Sequence, residues 1–350
     1  MRNRCGWGDA APAKVAHSSG RHGSGGAAGV ARRGIHLPTF AGAEQPAPAE
    51  AGKSTPTVRH PYAETMPTPN VVVIGDALVD ELRTPTGSTS VPGGSALNVA
   101  TGLAILGIPT TLIAMIGDDS DGALLLDAAA RFGVRVLASD APLGTGRAIS
   151  DRTHGEPRYE FTDAQVRRSI HYSPTMLEAI ADAPLVAISG FPFDNALEFA
   201  ALADAVRGST VLIDPNPRPG MLLDRALFAT NLDTLAATSA MVKIGEDDAA
   251  LVYNEPVTSV AANYLASGAG AVLATLGSDG AALHLPASRL EHGIVHDPRP
   301  IIDTMGAGDS TFAAVIAGLV SGDGWETILE TAMGIAAETI RFEGGQLRVP

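Results

Sequence analysis

The residues Asp303-Thr304-Met305-Gly306-Ala307-Gly308-Asp309 combine a Gly-x-Gly turn with an acid that follows directly. They lead into Ser310–Leu319, where Phe312, Ile316 and Leu319 recur at i, i+4 and i+7, the spacing of one helical face. The turn therefore sits where a helix begins. Backbone N–H groups of small residues at such a place point outward, and the helix dipole adds a favourable potential for an anion. An aspartate beside a bound anion is repulsive unless it has a task of its own. General-base work on a hydroxyl, next to donors that hold a transferring phosphoryl group, is such a task. A plain helix start with an acid favouring the dipole accounts for the turn equally well, and the turn alone does not separate the two.

Other chemistry-bearing residues are spread along the chain. Asp76 and Asp80 follow the run Asn70–Gly75. Gly93 and Gly94 open a helical pattern that carries Asn98 in its first turn; an Asn both donates and accepts, which suits vicinal hydroxyls. In Asp214-Pro-Asn216-Pro-Arg218-Pro three prolines fix φ and hold Asn216 and Arg218 in set directions, or form a stiff connection and nothing more. Lys243-Ile-Gly-Glu246-Asp247-Asp248 carries an acid cluster of the kind that holds a water-coordinated Mg²⁺, or that simply starts a helix. Thr275-Leu-Gly277-Ser-Asp-Gly280 is a tight turn suited to close approach by a nucleotide, or a hairpin turn. There is no Gly-x-x-x-x-Gly-Lys-Ser/Thr loop and no Gly-x-Gly-x-x-Gly after the first strand pattern, and the nine histidines show no metal spacing.

These residues need a scaffold, and the 350-residue chain supplies one. Hydrophobic residues make up 45%, and the mean hydropathy is +0.15. No apolar run approaches the ~20 residues of a membrane span. The formal charge is -14, and Lys243 is the sole lysine after Lys53. Such a balance argues against nucleic-acid partners, which need cations to neutralise phosphates, but not against one focused site for a small anion. A single cysteine, Cys5, excludes an intrachain disulfide and fits a reducing cytoplasm.

Residues 1–66 are rich in Gly, Ala, Pro, Ser and Arg without sustained periodicity, and read as a disordered or non-native extension ahead of a domain at 67–350. From Asn70 onward, strand and helix patterns alternate: strands near 70–75, 111–116, 134–137, 185–189, 210–213, 241–244, 271–276 and 281–285, with helices at 93–106, 122–132, 174–182, 194–207, 258–267, 310–319 and 325–342. That rhythm predicts an α/β fold with a mostly parallel sheet covered on both faces. Residues 81–92 and 143–162 break it, and predict a small β flap.

Taken together, these pieces resemble the PfkB (ribokinase-like) carbohydrate kinase family over roughly residues 68–345. Gly93-Gly-Ser-Ala-Leu-Asn98-Val-Ala-Thr-Gly-Leu-Ala-Ile-Leu-Gly107 resembles the family's N-terminal signature, and Asp303–Asp309 its C-terminal one. The resemblance implies a three-layer α/β/α sandwich with a small β lid, in a cytoplasmic enzyme that uses ATP and Mg²⁺ to phosphorylate a sugar. It implies Asp309 as catalytic base, with the N–H groups of Gly306, Ala307 and Gly308 as anion hole. Asp80, Gly93, Gly94, Asn98 and Arg218 fall on the sugar side; Lys243, Thr275, Gly277 and Gly280 on the nucleotide side. Asp248 is the Mg²⁺-side acid, where Gly245-x-x-Asp248 replaces the family's Asn-x-x-Glu. Asp303 frames the loop in which many members bind a monovalent cation such as K⁺, and the lid is the surface through which a homodimer would form. The Asp214-x-Asn216-x-Arg218-Pro form resembles fructokinases and 2-keto-3-deoxygluconate kinases, so a fructokinase-type hexose kinase is the expected activity. The keto-acid and ribose enzymes stand behind it, and a non-catalytic sugar or nucleotide sensor is the rival of another class.

Overall fold

A computed structural model describes residues 70–151 and 158–350. The extension expected at 1–66 and the turn at 152–157 lie outside these residues.

The first strand, β1 (Val71–Gly75), shows how the sequence builds the layers. Successive side chains of a strand point to opposite faces. Val71 and Val73 join one apolar cluster, and Val72 and Ile74 join another. Both faces of the strand are therefore buried, which explains its unbroken β-branched run.

β2 (Leu78–Thr84) and β3 (Gly87–Gly93) follow as a hairpin. The main alternation then runs through α1 (Ser95–Ile105), β4 (Thr110–Met115), α2 (Ser120–Arg131) and β5 (Arg135–Ser139). β6 (Arg147–Asp151) and β7 (Arg158–Phe161) leave the main sheet. It resumes with α3 (Asp163–Val166), α4 (Pro174–Asp182), β8 (Val186–Ser189), α5 (Ala196–Ala205), β9 (Val211–Asp214) and α6 (Arg225–Ala236). Then come β10 (Met241–Gly245), α7 (Glu246–Tyr253), α8 (Val257–Ser267), β11 (Val272–Thr275), β12 (Ala281–Leu285), β13 (Ser288–His292), α9 (Ala307–Ser321) and α10 (Trp325–Thr339).

The nine strands of the main sheet are ordered β13-β12-β11-β10-β9-β8-β1-β4-β5. The pairings from β5 across to β11 are parallel, and β12 and β13 close the edge antiparallel. Phe312, Trp325 and Leu329 of α9 and α10 pack on one face with α1 and α2, and Met176, Leu202, Phe228 and Val260 of α4, α5, α6 and α8 pack on the other. This is the three-layer α/β/α sandwich. A second sheet, β3-β2-β6-β7, forms the small lid expected from residues 81–92 and 143–162.

The chain leaves β1 toward β4 on one side and returns to β8 on the other, so the winding direction reverses at β1. Ligands of such sheets bind at the carboxyl ends of the strands around that reversal. Gly75, Ser189 and Asp214 stand side by side there, as Gly75↔Ser189 and Ser189↔Asp214 register pairs.

The elements depart from the sequence reading at several points. α6 was not anticipated: Thr230, Asn231, Asp233 and Thr234 dilute its pattern, although Phe228, Leu232 and Leu235 share its buried face. Strand β13 was not anticipated either, because it is an edge with alternating exposure. The last helix ends at Thr339 instead of 342, since the Ile340 carbonyl turns to accept from the N–H groups of Ile302 (2.9 Å) and Asp303 (3.3 Å). Ile301 and Ile302 themselves form no strand and are exposed.

Candidate active site

Gly306 has φ +75°, the left-handed region that glycine tolerates, and it starts α9. A Cβ there would meet the Gly345 carbonyl oxygen at 2.2 Å, so the C-terminal segment presses directly on the turn. Asp309 falls in the first turn of α9 and is 8% exposed. Its Oδ1 accepts from Ser95 Oγ at 2.6 Å, and its Oδ2 accepts from Asn98 Nδ2 at 2.8 Å. Ser95 and Asn98 both belong to the first turn of α1. The two glycine-led stretches, far apart in sequence, thus meet at one carboxylate.

α1 starts where it does because Gly94 takes φ +96°. A side chain at 94 would also lie 2.8 Å from Ala77 Cα and from the Asp76 carbonyl oxygen. Gly93 is fixed differently: a Cβ there would lie 1.9 Å from Asp80 Oδ2. Asp80 sits on β2 and turns its carboxylate into the space that Gly93 leaves. Asp80 is pushed up to about 7, chiefly by burial and then by the charges of Asp76 and Asp309, with Arg218 opposing. Asp76 is buried as well and is pushed up to about 6 by burial, against the guanidinium of Arg168. Its Oδ1 accepts from the Ala96 N–H at 3.3 Å and its Oδ2 from Gln165 Nε2 at 3.4 Å. Three carboxylates therefore lie near enough to act on one another, with Arg168 acting on Asp76 and Arg218 on Asp76 and Asp80. Arg168 is buried and donates to the Gly190 carbonyl oxygen, while Arg218 is exposed. Asn216 holds φ +41°, the conformation its proline neighbours frame.

The expected anion hole is partly altered. The Ala307 N–H turns back to the Thr304 carbonyl oxygen at 3.3 Å, which closes the turn and removes that donor. The N–H groups of Gly308 and Asp309, in the first helical turn, have no intrahelical acceptor. Lys243 is buried below this turn, with its Nζ 2.8 Å from Asp214 Oδ2. It faces Gly308 from inside the protein; the sequence reading placed it on the nucleotide side.

On the other side of the turn, Gly245 and Thr275 are register partners on β10 and β11. A Cβ on Gly245 would lie 3.2 Å from both Thr275 Oγ1 and Asp248 Oδ2. Asp248 is buried and accepts from the Gly245 N–H at 2.9 Å, which caps α7. Gly277 has open space around it, with only Glu246 Oε2 at 3.7 Å from a built Cβ. Gly280 has a structural reason to be glycine: its φ is +95°, and a Cβ would lie 2.1 Å from the His292 carbonyl oxygen. Among the described residues no group of three or more His, Cys, Asp or Glu could hold a metal ion. A single acid with one oxygen committed to its helix cap fits a hydrated, phosphate-borne Mg²⁺, which takes few protein ligands. Both Asp303 oxygens accept from the backbone, Oδ1 from Met305 N–H and Oδ2 from Gly344 N–H, so Asp303 ties the turn to the C-terminal segment.

The sequence reading missed Ser95 and Ser189, whose hydroxyls are 2.5 Å apart. Ser95 lay inside the quoted motif, but serine at a helix start is too common to single out. Asp76 directly follows β1, but no motif gives it a role, and nothing local marks Arg168.

The pfkB family carbohydrate kinase model matches residues 68–350. A fructokinase of Klebsiella pneumoniae is 31% identical over 266 residues, covering 71% of this chain and 84% of that protein. A 2-dehydro-3-deoxygluconokinase of Bacillus subtilis is 26% identical over 274 residues, 73% of this chain and 83% of that protein. The fold is similar to a putative ribokinase II of E. coli solved in complex with ATP and Mg²⁺, at 22% identity and TM-score 0.67, covering 79% and 94% of the two chains. The chain belongs to the pfkB family of carbohydrate kinases. It is an ATP-dependent sugar kinase. Among the described residues no helix is long and apolar enough to cross a membrane.

Proposed function

We propose that the chain transfers the γ-phosphate of ATP to a primary hydroxyl of a neutral hexose, with fructose as the expected acceptor. The observation that carries this reading is the meeting of Ser95 and Asn98 with Asp309. An acid at a helix start becomes useful when sugar-side donors hold its orientation. Asp309 then takes the hydroxyl proton as the sugar oxygen attacks the γ-phosphorus. The bond to the β–γ bridging oxygen breaks, and ADP leaves with its electron pair. The free N–H groups at Gly308 and Asp309, with the opening given by Gly306 and Ala307, stabilise the charge on the transferring group. Asp80, Gly93, Gly94 and Asn98 form the sugar side, with Arg218 at its rim. Thr275, Gly277 and Gly280 form the nucleotide side. Mg²⁺, held through water near Asp248, would offset charge between the phosphates. The lid strands would exclude water from the reaction. Asp303 would frame a loop for a monovalent cation.

The electrostatics favour a neutral acceptor. Asp76, Asp80 and Asp309 act on one another, and Asp76 and Asp80 already hold their protons more tightly for it, so a substrate carboxylate would add further negative charge where it is disfavoured. Arg218 supports the second reading, a keto-acid sugar, because its charge acts on both Asp76 and Asp80 from the rim. Coupled ADP release with fructose, 2-keto-3-deoxygluconate, ribose, adenosine and guanosine tests the proposal. Turnover highest with fructose supports it, and turnover confined to the keto acid moves the assignment to the second reading. Sugar binding with no ADP from any acceptor would make the protein a sensor. Leu82 and Val91 are exposed on the lid, which supports pairing of two lids in a homodimer; sedimentation of the purified chain reads that directly.

A further inference from the structure

Lys243 is the sole lysine between residues 54 and 350, and it is 4% exposed. Val242 pairs with Ile213, so the next residues along, Lys243 and Asp214, lie side by side on parallel strands. Their side chains share a face of the sheet and form an ion pair at 2.8 Å. Asp214 is 0% exposed, and its second oxygen, Oδ1, has no hydrogen-bond partner. The pair is thus poorly satisfied for a structural anchor. Buried ion pairs of this kind are seldom worth their desolvation cost as stabilising elements.

The ammonium points at the catalytic turn. A Cβ on Gly308 would lie 3.2 Å from Lys243 Nζ and 3.6 Å from Cε. Gly308 is absent from the glycines with positive φ, so its backbone conformation does not demand glycine. What a side chain there would meet is the ammonium, in a tight contact. Burial alone would lower the Lys243 pKa, but the charges of Asp214, Asp248 and Asp309 hold it above the usual lysine value.

We infer that Lys243, held by Asp214, is a positioning residue: a fixed positive charge behind Gly308 that strengthens the grip of the turn on the transferring phosphoryl group. It touches neither substrate. It acts through the Gly308 backbone, and because it is already desolvated and pinned, it needs no reorganisation when charge develops. This rests on the reading of the glycine turn as the phosphoryl site.

The test replaces the pair as a unit, because Lys243→Met alone would strand a buried carboxylate. Asp214→Leu/Lys243→Met removes both charges at similar volume, and Asp214→Asn/Lys243→Gln does so while keeping a hydrogen bond. Assays use the full chain with the best acceptor of the sugar panel. In whichever variant folds, the melting temperature and both KM values are expected to stay near those of the parent. The kcat is expected to fall about ten-fold or more, in line with loss of preorganised charge stabilisation. Inhibition by ADP with aluminium fluoride and Mg²⁺, a mimic of the transferring group, is expected to weaken by the same factor. A kcat within about two-fold of the parent, while Asp309→Asn abolishes turnover, overturns the inference alone. Failure of both pairs to fold would assign the ion pair to stability and also overturn it. If Asp309→Asn itself keeps turnover, the underlying reading of the turn is the one that fails.

Discussion

Asn98 Nδ2 donates to Asp309 Oδ2 at 2.8 Å across 211 positions of the chain. That bond joins the first turn of α1 to the first turn of α9 and leaves the carboxylate in one orientation. If Asp309 is the base, Asp309→Asn keeps the shape and removes the proton acceptor. The expected result is a loss of roughly 10²–10⁴-fold in kcat, the usual weight of general-base work. The sugar KM should change little, and the melting temperature should stay close to the parent's, because relief of a buried charge offsets the weakening of the two bonds it assists. Steady-state kinetics beside a thermal melt check both.

Ser95 occupies the other carboxylate oxygen. Its hydroxyl has one proton, and a carboxylate can only accept, so that proton goes to Asp309 Oδ1 and Ser189 donates to Ser95. Ser95→Ala removes a charge-assisted bond and should cost about 1.5–3 kcal/mol of stability. It should also lower kcat more than it raises KM, since the base loses orientation. Ser189→Ala acts one step away, and its effect on kcat should be the smaller of the two. Denaturation curves and kinetics of the two alanine variants give the ranking.

Asp80 makes a pH prediction with a definite sign. Its ordinary value is 3.8, and in the fold it is pushed up to about 7. The folded state therefore holds a proton that the unfolded state has released. The stability linked to Asp80 is fully present below the unfolded value and is lost as pH rises, with the loss complete above about 7. Asp80→Asn should accordingly raise the melting temperature at pH 8 and leave it nearly unchanged at pH 4. Binding runs the opposite way: an ionised Asp80 accepts from a sugar hydroxyl, so the parent's sugar KM should fall between pH 6 and pH 8. A flat KM profile, or an equal stability gain at both pH values, would count against the assignment.

Much of this was legible in the sequence, for identifiable reasons. The Val71–Ile74 run, the helix face Phe312-Ile316-Leu319 and the helix at 174–182 are periodic or capped locally, so they emerge without tertiary knowledge. Gly94 and Gly306, one in each signature, take positive φ, a backbone need that the residue type itself signals. What stayed hidden depends on juxtaposition. The Ala307 N–H is lost to a carbonyl three residues back, Lys243 is buried under Gly308, and Arg168 reaches Gly190, and none of these leaves a local trace. Gly280 was read as nucleotide-facing, while the contact that demands glycine there comes from β13, a strand the sequence pattern did not reveal.

The glycines can be separated by experiment according to what requires them. Gly107 has φ +80° and nothing within 4 Å of a built Cβ, so Gly107→Ala tests backbone strain alone. It should cost on the order of 1 kcal/mol, with kinetics unchanged. Gly93 lacks a positive φ, but a Cβ there would overlap the Asp80 carboxylate at 1.9 Å. Gly93→Ala should therefore displace Asp80 and raise the sugar KM several-fold more than it lowers kcat. Paired melts and kinetics distinguish the two; a kinetic defect in Gly107→Ala would show that strain alone reaches the site.

Arg218 decides how strongly the sugar side tolerates charge. It is exposed, its Nη1 donates to the neighbouring Pro217 carbonyl oxygen at 3.3 Å, and its charge lowers both Asp76 and Asp80 against the effect of burial. Arg218→Ala removes that opposition, so Asp80 should titrate at a still higher pH. The fall of the sugar KM with pH should then shift to more alkaline values, while KM at pH 9 approaches that of the parent. A neutral hexose loses only this indirect help. A keto-acid acceptor loses an exposed cation that acts on Asp76 and Asp80, and its turnover should drop far more at every pH. The ratio of kcat/KM for fructose over the keto acid is therefore expected to rise in Arg218→Ala. An unchanged ratio would mean that Arg218 does not read the substrate's charge. A fall in the ratio would mean that it grips the neutral sugar itself.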